Sequence, residues 1–436
     1  MHATEAQIET PAPSRLERPA NGAMPLAPVL LFAFLNSFGS GVAYNGLFTL
    51  AKFNYAFTPT QNFLLALLYG VTYMPAALLI GPFLRRLPEG SRLLNHRGVL
   101  VAIMFLMAAV AWMPVVADRL AAGGPGEGGA QTRAQWPIWL AAGLYSPLSG
   151  CLWPIVESYV SGGRRGAGLR GAIGKFNVCW SSALVVTLLG IAPFVRDHAI
   201  AILTVLGWVQ VGTAVVLVWF GPRPGEHLHE HEPHPPVYDR LLRVFQVLLA
   251  VAFLGISTLA PYLSAACKRL EIPAAAETPI IAIWMTARVF TFFAMERTHR
   301  WHGRWSTPVV GTALLLVASS TVVLAPVLLP RTPALVALVV GLLGFGVAIG
   351  MIYAATLYYT MEVGSAEVDA GGVFETLIGL GYTLGPLCGL AGLVAVSLGS
   401  PGWVEQPVTV GVLALLSGVG VMVAVRRARG GGAVGG

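Results

Sequence analysis

Stretches of about 17–25 apolar residues recur along this chain, each long enough to cross roughly 30 Å of hydrocarbon at about 1.5 Å of rise per residue. Twelve can be placed, near 26–50, 61–84, 98–117, 136–159, 171–195, 199–220, 241–264, 278–296, 307–329, 334–361, 371–397 and 407–425. A water-soluble globule has too little interior to hide so many, so the chain requires lipid as a solvent. With 56% hydrophobic and 11% charged residues, it keeps its polar groups for the connections.

Twelve spans put both termini on one side, and the basic residues test that layout independently of hydropathy. Nineteen of the 27 Lys and Arg residues fall in segments on the terminal side. Seven (Lys52, Arg119, Arg133, Arg196, Lys268, Arg269 and Arg331) fall on the other, and Arg288 alone lies inside a span. One helix more or fewer would invert every later loop and spoil the separation. The bias predicts that both termini are cytoplasmic in a bacterial-type inner (plasma) membrane. The net charge of +7 then reflects an anionic leaflet, and no nucleic-acid partner is expected. Residues 1–25 carry Glu5, Glu9 and Glu17 and lack a short apolar core, so they read as a tail ahead of an uncleaved first span. Cys151, Cys179, Cys267 and Cys388 show no C-x-x-C spacing and read as small packing residues.

A Pro-, His- and Glu-rich interruption divides six spans from six. The expected organisation is a cytoplasmic tail at 1–25, a six-helix bundle at 26–220, a linker at 221–240, a second bundle at 241–425 and a tail at 426–436. An offset near 200 residues aligns Gly150-Cys-Leu-Trp153 with Gly350-Met-Ile-Tyr353, and Tyr159 with Tyr359. Gly174-Lys-Phe-Asn177 then meets Gly372-Val-Phe-Glu375. The order of these matches fits two repeated halves with a solute site between them near the bilayer midplane.

After the second span comes Gly81-Pro-Phe-Leu-Arg85-Arg86, followed by Arg97-Gly98. The corresponding turn of the second half is Glu296-Arg297-Thr-His-Arg300-Trp-His-Gly303-Arg304. In the eleventh span lies Gly381-Tyr-Thr-Leu-Gly385-Pro386-Leu-Cys-Gly389. With the topology, these segments resemble the major facilitator superfamily over essentially the whole chain. The resemblance implies an all-α integral membrane fold of twelve transmembrane helices in two pseudo-symmetric six-helix bundles, working by alternating access. Gly81, Arg85, Arg86, Gly381, Gly385 and Pro386 would then be gating or motif positions. Departures are specific. Arg85 stands where the family has an aspartate, which leaves the usual charge latch between halves without its acid. The G-x-x-x-G-P-x-x-G pattern sits in the eleventh span, whereas the fifth, where antiporters carry it, has only Leu189-Gly190-Ile-Ala-Pro193. The fourth span, Leu140 to Tyr159, has no basic residue.

An ionisable group inside a span costs roughly 2.5–3.5 kcal/mol on insertion scales, so each is a functional candidate. Arg288 lies near the middle of the eighth span, with Trp284 one turn away. It needs an anionic partner such as a fixed carboxylate locking helices together, a cluster of acceptors or a solute anion, and Trp284 can offer its ring face or help shape the cavity. Glu157 and Glu375 are the candidates for proton coupling, together with Arg288, because a carboxyl held in low dielectric can load and release protons. Glu362 lies closer to the membrane edge. In the first span Asn36, Ser40 and Tyr44 recur at i, i+4 and i+8 and draw one polar stripe, which should face protein or water. In the resembled architecture the first, fourth, seventh and tenth spans line the cavity, so the stripe would meet Trp153, Gln246, Tyr262 and Tyr353. Rings with a few amides and hydroxyls suit a sugar-like or amphipathic organic solute, and Arg288 favours a polar or anionic one. The alternative for each ring is helix packing or an interfacial belt, where Trp136, Trp139, Trp301, Trp305 and Trp403 are placed. Gly346-x-x-x-Gly350 and Gly381-x-x-x-Gly385 permit close helix approach or local bending.

The one cluster with metal-ligand character, His227, His229, His231 and His234, falls in the linker and reads as a solvated segment. No G-x-x-x-x-G-K-[ST] occurs, so direct ATP hydrolysis is not expected. Asp118, Asp197, Asp239 and Asp369 are scattered among predicted loops, which argues against a metal-dependent membrane enzyme. No cofactor is expected. The reading is a secondary transporter, monomeric in the bilayer, whose partners are a small-molecule solute and protons. An efflux antiporter for hydrophobic compounds and a non-transporting receptor or scaffold of the same fold are the alternatives.

Overall fold

A computed structural model describes residues 23–88, 94–121, 133–225, 235–364 and 368–430. The His227 to His234 cluster lies outside the described residues. Twelve helices are long and apolar enough to cross a membrane: α1 Leu26–Asn54, α2 Pro59–Arg85, α3 His96–Leu120, α4 Trp136–Ser161, α5 Gly166–Ile191, α6 Ala199–Trp219, α7 Val237–Arg269, α8 Ala274–Arg297, α9 Ser306–Leu328, α10 Arg331–Val363, α11 Val368–Ser397 and α12 Gly402–Arg429. No strand occurs among the described residues. The chain is a multi-pass membrane protein. Helix is the form that satisfies every backbone N–H and C=O within one segment when no water is at hand.

Local chemistry sets several helix ends. Thr58 and Gln61 close a reciprocal capping box at the start of α2, Thr58 N–H to Gln61 Oε1 at 2.8 Å and Gln61 N–H to Thr58 Oγ1 at 3.2 Å, with Pro59 in the first turn. Most expected spans match to within a few residues, but the helices overrun them. Asp239 and Asp369 therefore stand in the first turns of α7 and α11, and Asp118 stands within α3, where loops were expected. The overrun is physical, because a helix continues past the hydrocarbon as long as its polar end residues reach water.

Each half contributes six helices. α2 packs along α11 and α5 along α8 in the two most extensive seams between the halves, and α4 also meets α11. Small residues let the first seam close: an added Cβ on Gly379 would lie 2.8 Å from Met74 Cα, and one on Gly372 would lie 2.8 Å from Ala77 O. Gly70 meets the Tyr382–Thr383 backbone in the same way. The Gly346-x-x-x-Gly350 pair seats α10 on α8, at Trp284 and Thr291. Tyr159 and Tyr359, aligned by the internal offset, are both fully buried. Tyr159 donates to Gly221 O at 2.7 Å, and Tyr359 accepts from Gly303 N–H at 2.9 Å.

Trp136, Trp305 and Trp403 are exposed on the outer surface, as belt residues should be. Trp139 and Trp301 are packed instead. Trp139 stacks on Phe57 at 5.3 Å, and Trp301 packs on His302 and donates to Met295 O at 2.9 Å.

Candidate solute chamber

A cavity of about 90 Å³ lies between the halves. Four helices of each half wall it, α1, α2, α4 and α5 from the first and α7, α8, α10 and α11 from the second, while α3, α6, α9 and α12 contribute nothing. Inside α1, Val42–Gly46 forms a single π-helical turn. The wider turn rotates the register of the expected stripe, so that Ser40, Tyr44 and the following Asn45 reach the wall. Asn36 does not reach it. It is fully buried one turn earlier, and neither side-chain atom has a partner.

Of the other expected residues, Trp153, Trp284, Arg288, Tyr353 and Glu375 line the chamber. Gln246 and Tyr262 do not. α7 faces the chamber through Phe253, Ile256, Ser257 and Ala260, and Tyr262 lies off that face, where its hydroxyl donates to Val323 O at 2.7 Å. Sequence reasoning passed over Tyr69, Tyr73, Trp180 and Tyr382, which complete the aromatic wall. The spacing of Tyr69 and Tyr73, one helical turn apart, was the available signal.

Arg288 is 3% exposed, and its guanidinium bridges the two halves. Nε donates to Ser181 Oγ of α5 at 3.0 Å. The Trp180 and Trp284 rings lie 4.6 and 4.9 Å from Cζ, with Phe292 at 5.9 Å. Nη2 is buried without a partner, and no carboxylate among the described residues comes within ion-pair distance. The expectation of a fixed carboxylate lock thus meets an aromatic cradle instead. Such a cradle supports a cation through ring quadrupoles while leaving its charge uncompensated.

Glu375 of α11 accepts a hydrogen bond from the Tyr73 hydroxyl of α2. Glu157 of α4 is buried beneath the chamber, with Glu375 as the ionisable group it faces. No donor reaches either of its oxygens. A Cβ on Gly371 would come 2.9 Å from Glu157 Oε2 and 3.0 Å from Pro154 Cα, so glycine here helps α11 approach α4 closely. Tyr44 and Tyr382, from opposite halves, stack at 5.4 Å with planes 7° apart.

Both ends of the chamber are crossed by contacts between the halves. On the terminal side Arg85 pairs with Asp369, whose carboxylate also sits against Gly81, and Gly166 N–H donates to Glu362 at 3.3 Å. The latch that lacked an acid in the sequence pattern therefore finds one on α11. Arg86 is exposed beside it. At the far end Lys52 of α1 pairs with Glu277 of α8 at 3.0 Å, and the Phe63 ring fills the space over Gly389. Gly381 and Gly385 lie within the second half, where Ser257 and Thr258 donate to their carbonyls at 2.8 and 2.9 Å and seat α11 against α7, next to Pro386.

No family model and no curated protein matches the chain in sequence. Solved structures do match. The nucleoside transporter NupG aligns with TM-score 0.60 and 11% identity over 92% of this chain and 98% of its own. The human organic anion transporter MFSD10 (TETRAN) gives 0.59 and 12% over 91% and 98%. A single-residue variant of the E. coli fucose:proton symporter FucP gives 0.55 and 13% over 92% and 98%. All three are transporters, and at such low identity the shared property is the chain path. The architecture of two six-helix bundles around a central chamber is therefore that of the major facilitator superfamily fold.

Proposed function

We propose that the chain is a secondary transporter that carries a small organic solute by alternating access, driven by protons. The observation that carries this reading is the chamber between the halves, walled by four helices from each and flanked on either side by a different inter-half ion pair. Opening one pair while keeping the other exposes the chamber to one side at a time. The two bundles at 26–220 and 241–425 would rock as units about the α2–α11 and α5–α8 seams. The positive-inside bias supports a terminal side that faces the cytoplasm of an inner membrane, with the protein working as a monomer.

Glu157 and Glu375 are the proposed proton carriers. They belong to opposite halves and meet in an apolar setting, where two charges in contact repel strongly. A proton between them turns that repulsion into a hydrogen bond and so favours closure at their level. Proton loss favours separation, which links protonation to rocking. Among solved structures of this fold, the fucose:proton symporter offers a precedent for such coupling.

The test is flux in proteoliposomes. Solute accumulation should follow an imposed pH gradient, and Glu157→Gln and Glu375→Gln should each abolish gradient-driven accumulation while sparing solute exchange. Gradient-driven flux untouched in both variants would remove the coupling assignment.

A further inference from the structure

Resting on the transporter reading above, we infer that the chamber takes an aromatic monocarboxylate, whose carboxylate pairs with Arg288 and whose ring lies among the chamber aromatics. The guanidinium spends a single hydrogen bond on the protein, from Nε to Ser181. Trp180 and Trp284 pack around it, so the N–H edge is left for a ligand, and Nη2 is buried with no partner to receive its hydrogens. A planar edge of parallel N–H donors matches a carboxylate in two-point contact better than any neutral oxygen.

The charge count supports one negative charge on the solute. Among the described residues that line the chamber Arg288 is the only Lys or Arg, and Glu375, the only Asp or Glu, is turned to Tyr73 and Glu157 and lies beyond ion-pair distance of the guanidinium, which is left to receive a solute anion. A cationic solute would meet the guanidinium, and a dianion would bring a second charge with no cation to receive it.

The rest of the wall selects the body of the solute. Tyr44, Tyr69, Tyr353, Tyr382, Trp153 and Phe253 present ring faces and edges, with aliphatic side chains between them. Ser257 already spends its hydroxyl on Gly381 O. Ser40 Oγ and the Tyr44 hydroxyl, both buried without partners, and Asn45 leave a few polar contacts at one edge, while a flat ring gains stacked and edge-to-face contacts over most of the wall. The parallel Tyr44–Tyr382 pair spans the halves and parts when they rock, so it offers two faces between which a ring can enter.

Equilibrium binding of benzoate, benzamide and cyclohexanecarboxylate to the purified full-length protein tests the assignment. Benzoate should bind about 10- to 150-fold tighter than benzamide, the range set by a charge-assisted hydrogen bond. It should bind about 3- to 10-fold tighter than cyclohexanecarboxylate, the share of the aromatic contacts. Arg288→Gln should erase the preference for benzoate over benzamide, and Arg288→Lys should retain part of it. The wild-type comparison needs no variant, so it stands even if Arg288→Gln unfolds. Benzamide binding as well as benzoate, a preference that survives Arg288→Gln in folded protein, or no binding of any of the three would overturn the proposal. So would cyclohexanecarboxylate matching benzoate. Benzoate binding with this selectivity but without flux in proteoliposomes would sink the transporter reading and uphold the ligand assignment.

Discussion

Removing the ammonium of Lys52 should bias the protein toward states open at the far end. Lys52 Nζ and Glu277 Oε1 lie 3.0 Å apart, with the Glu277 side chain 3% and the Lys52 side chain 22% exposed. At an effective dielectric near 20 the bare attraction is about 5–6 kcal/mol, and desolvation of the buried carboxylate offsets much of it. A net coupling of about 1–3 kcal/mol remains, which corresponds to a shift of about 5- to 150-fold in a two-state equilibrium. The pair joins α1 to α8 across the halves, so it forms only when the far end is closed. Lys52→Met therefore penalises the closed state and leaves the open one nearly untouched. Spin labels at Thr60→Cys and Ala275→Cys, both exposed and on opposite halves, would report the separation by pulsed EPR once the four native cysteines are replaced by alanine. The distance distribution should move to longer values in Lys52→Met and return in the charge-reversed double variant Lys52→Glu, Glu277→Lys. An unchanged distribution in the single variant, or no recovery in the reversal, would refute the reasoning.

Three further outcomes follow from particular contacts. Asp369→Asn should open the terminal side by only about 1.4- to 5-fold on an equivalent label pair, because Arg85 and Asp369 are 60% and 38% exposed and water screens them. Gly379→Val should cost about 1–3 kcal/mol and lower the thermal midpoint in detergent, since its first added carbon already meets Met74. Gly190→Val, where nothing lies within 4 Å of an added Cβ, should leave the midpoint unchanged. His302 lies in the α8–α9 connection, outside the spans. Burial, with Arg170 and His299 adding repulsion, pushes its imidazole from 6.5 down to about 4. The folded protein keeps this ring neutral while the unfolded chain protonates it, so stability present above about 6.5 is lost as pH falls toward 4. Melting curves across that window should fall less steeply for His302→Gln than for wild type.

The candidate chamber was partly legible in the sequence. Arg288 stood out because a permanent charge within an apolar span carries its own cost, and Trp284 followed from helical spacing. Glu375 and Glu157 were found by the same rule. Tyr69, Tyr73, Trp180 and Tyr382 escaped it because aromatic residues in a membrane helix face lipid, a neighbouring helix or a cavity with the same local pattern. Tyr262 shows the converse: its ring suited a cavity, yet α7 presents a different face to the chamber.

The sequence by itself determined the number of crossings, the all-helical class and the charge separation between the two sides. These follow from the lipid solvent, which acts on each segment independently through length, hydropathy and flanking charge. Pairings between segments remote in the chain were decided only by the tertiary structure. The acid that meets Arg85 lies 284 residues away, at Asp369, and the carboxyl facing Glu157 is Glu375 on the other half. The aromatic cradle in place of a carboxylate partner for Arg288 depends on how α5 and α8 cross. Helix rotation and crossing angle are set by packing among many side chains at once, and no local window of sequence carries that sum.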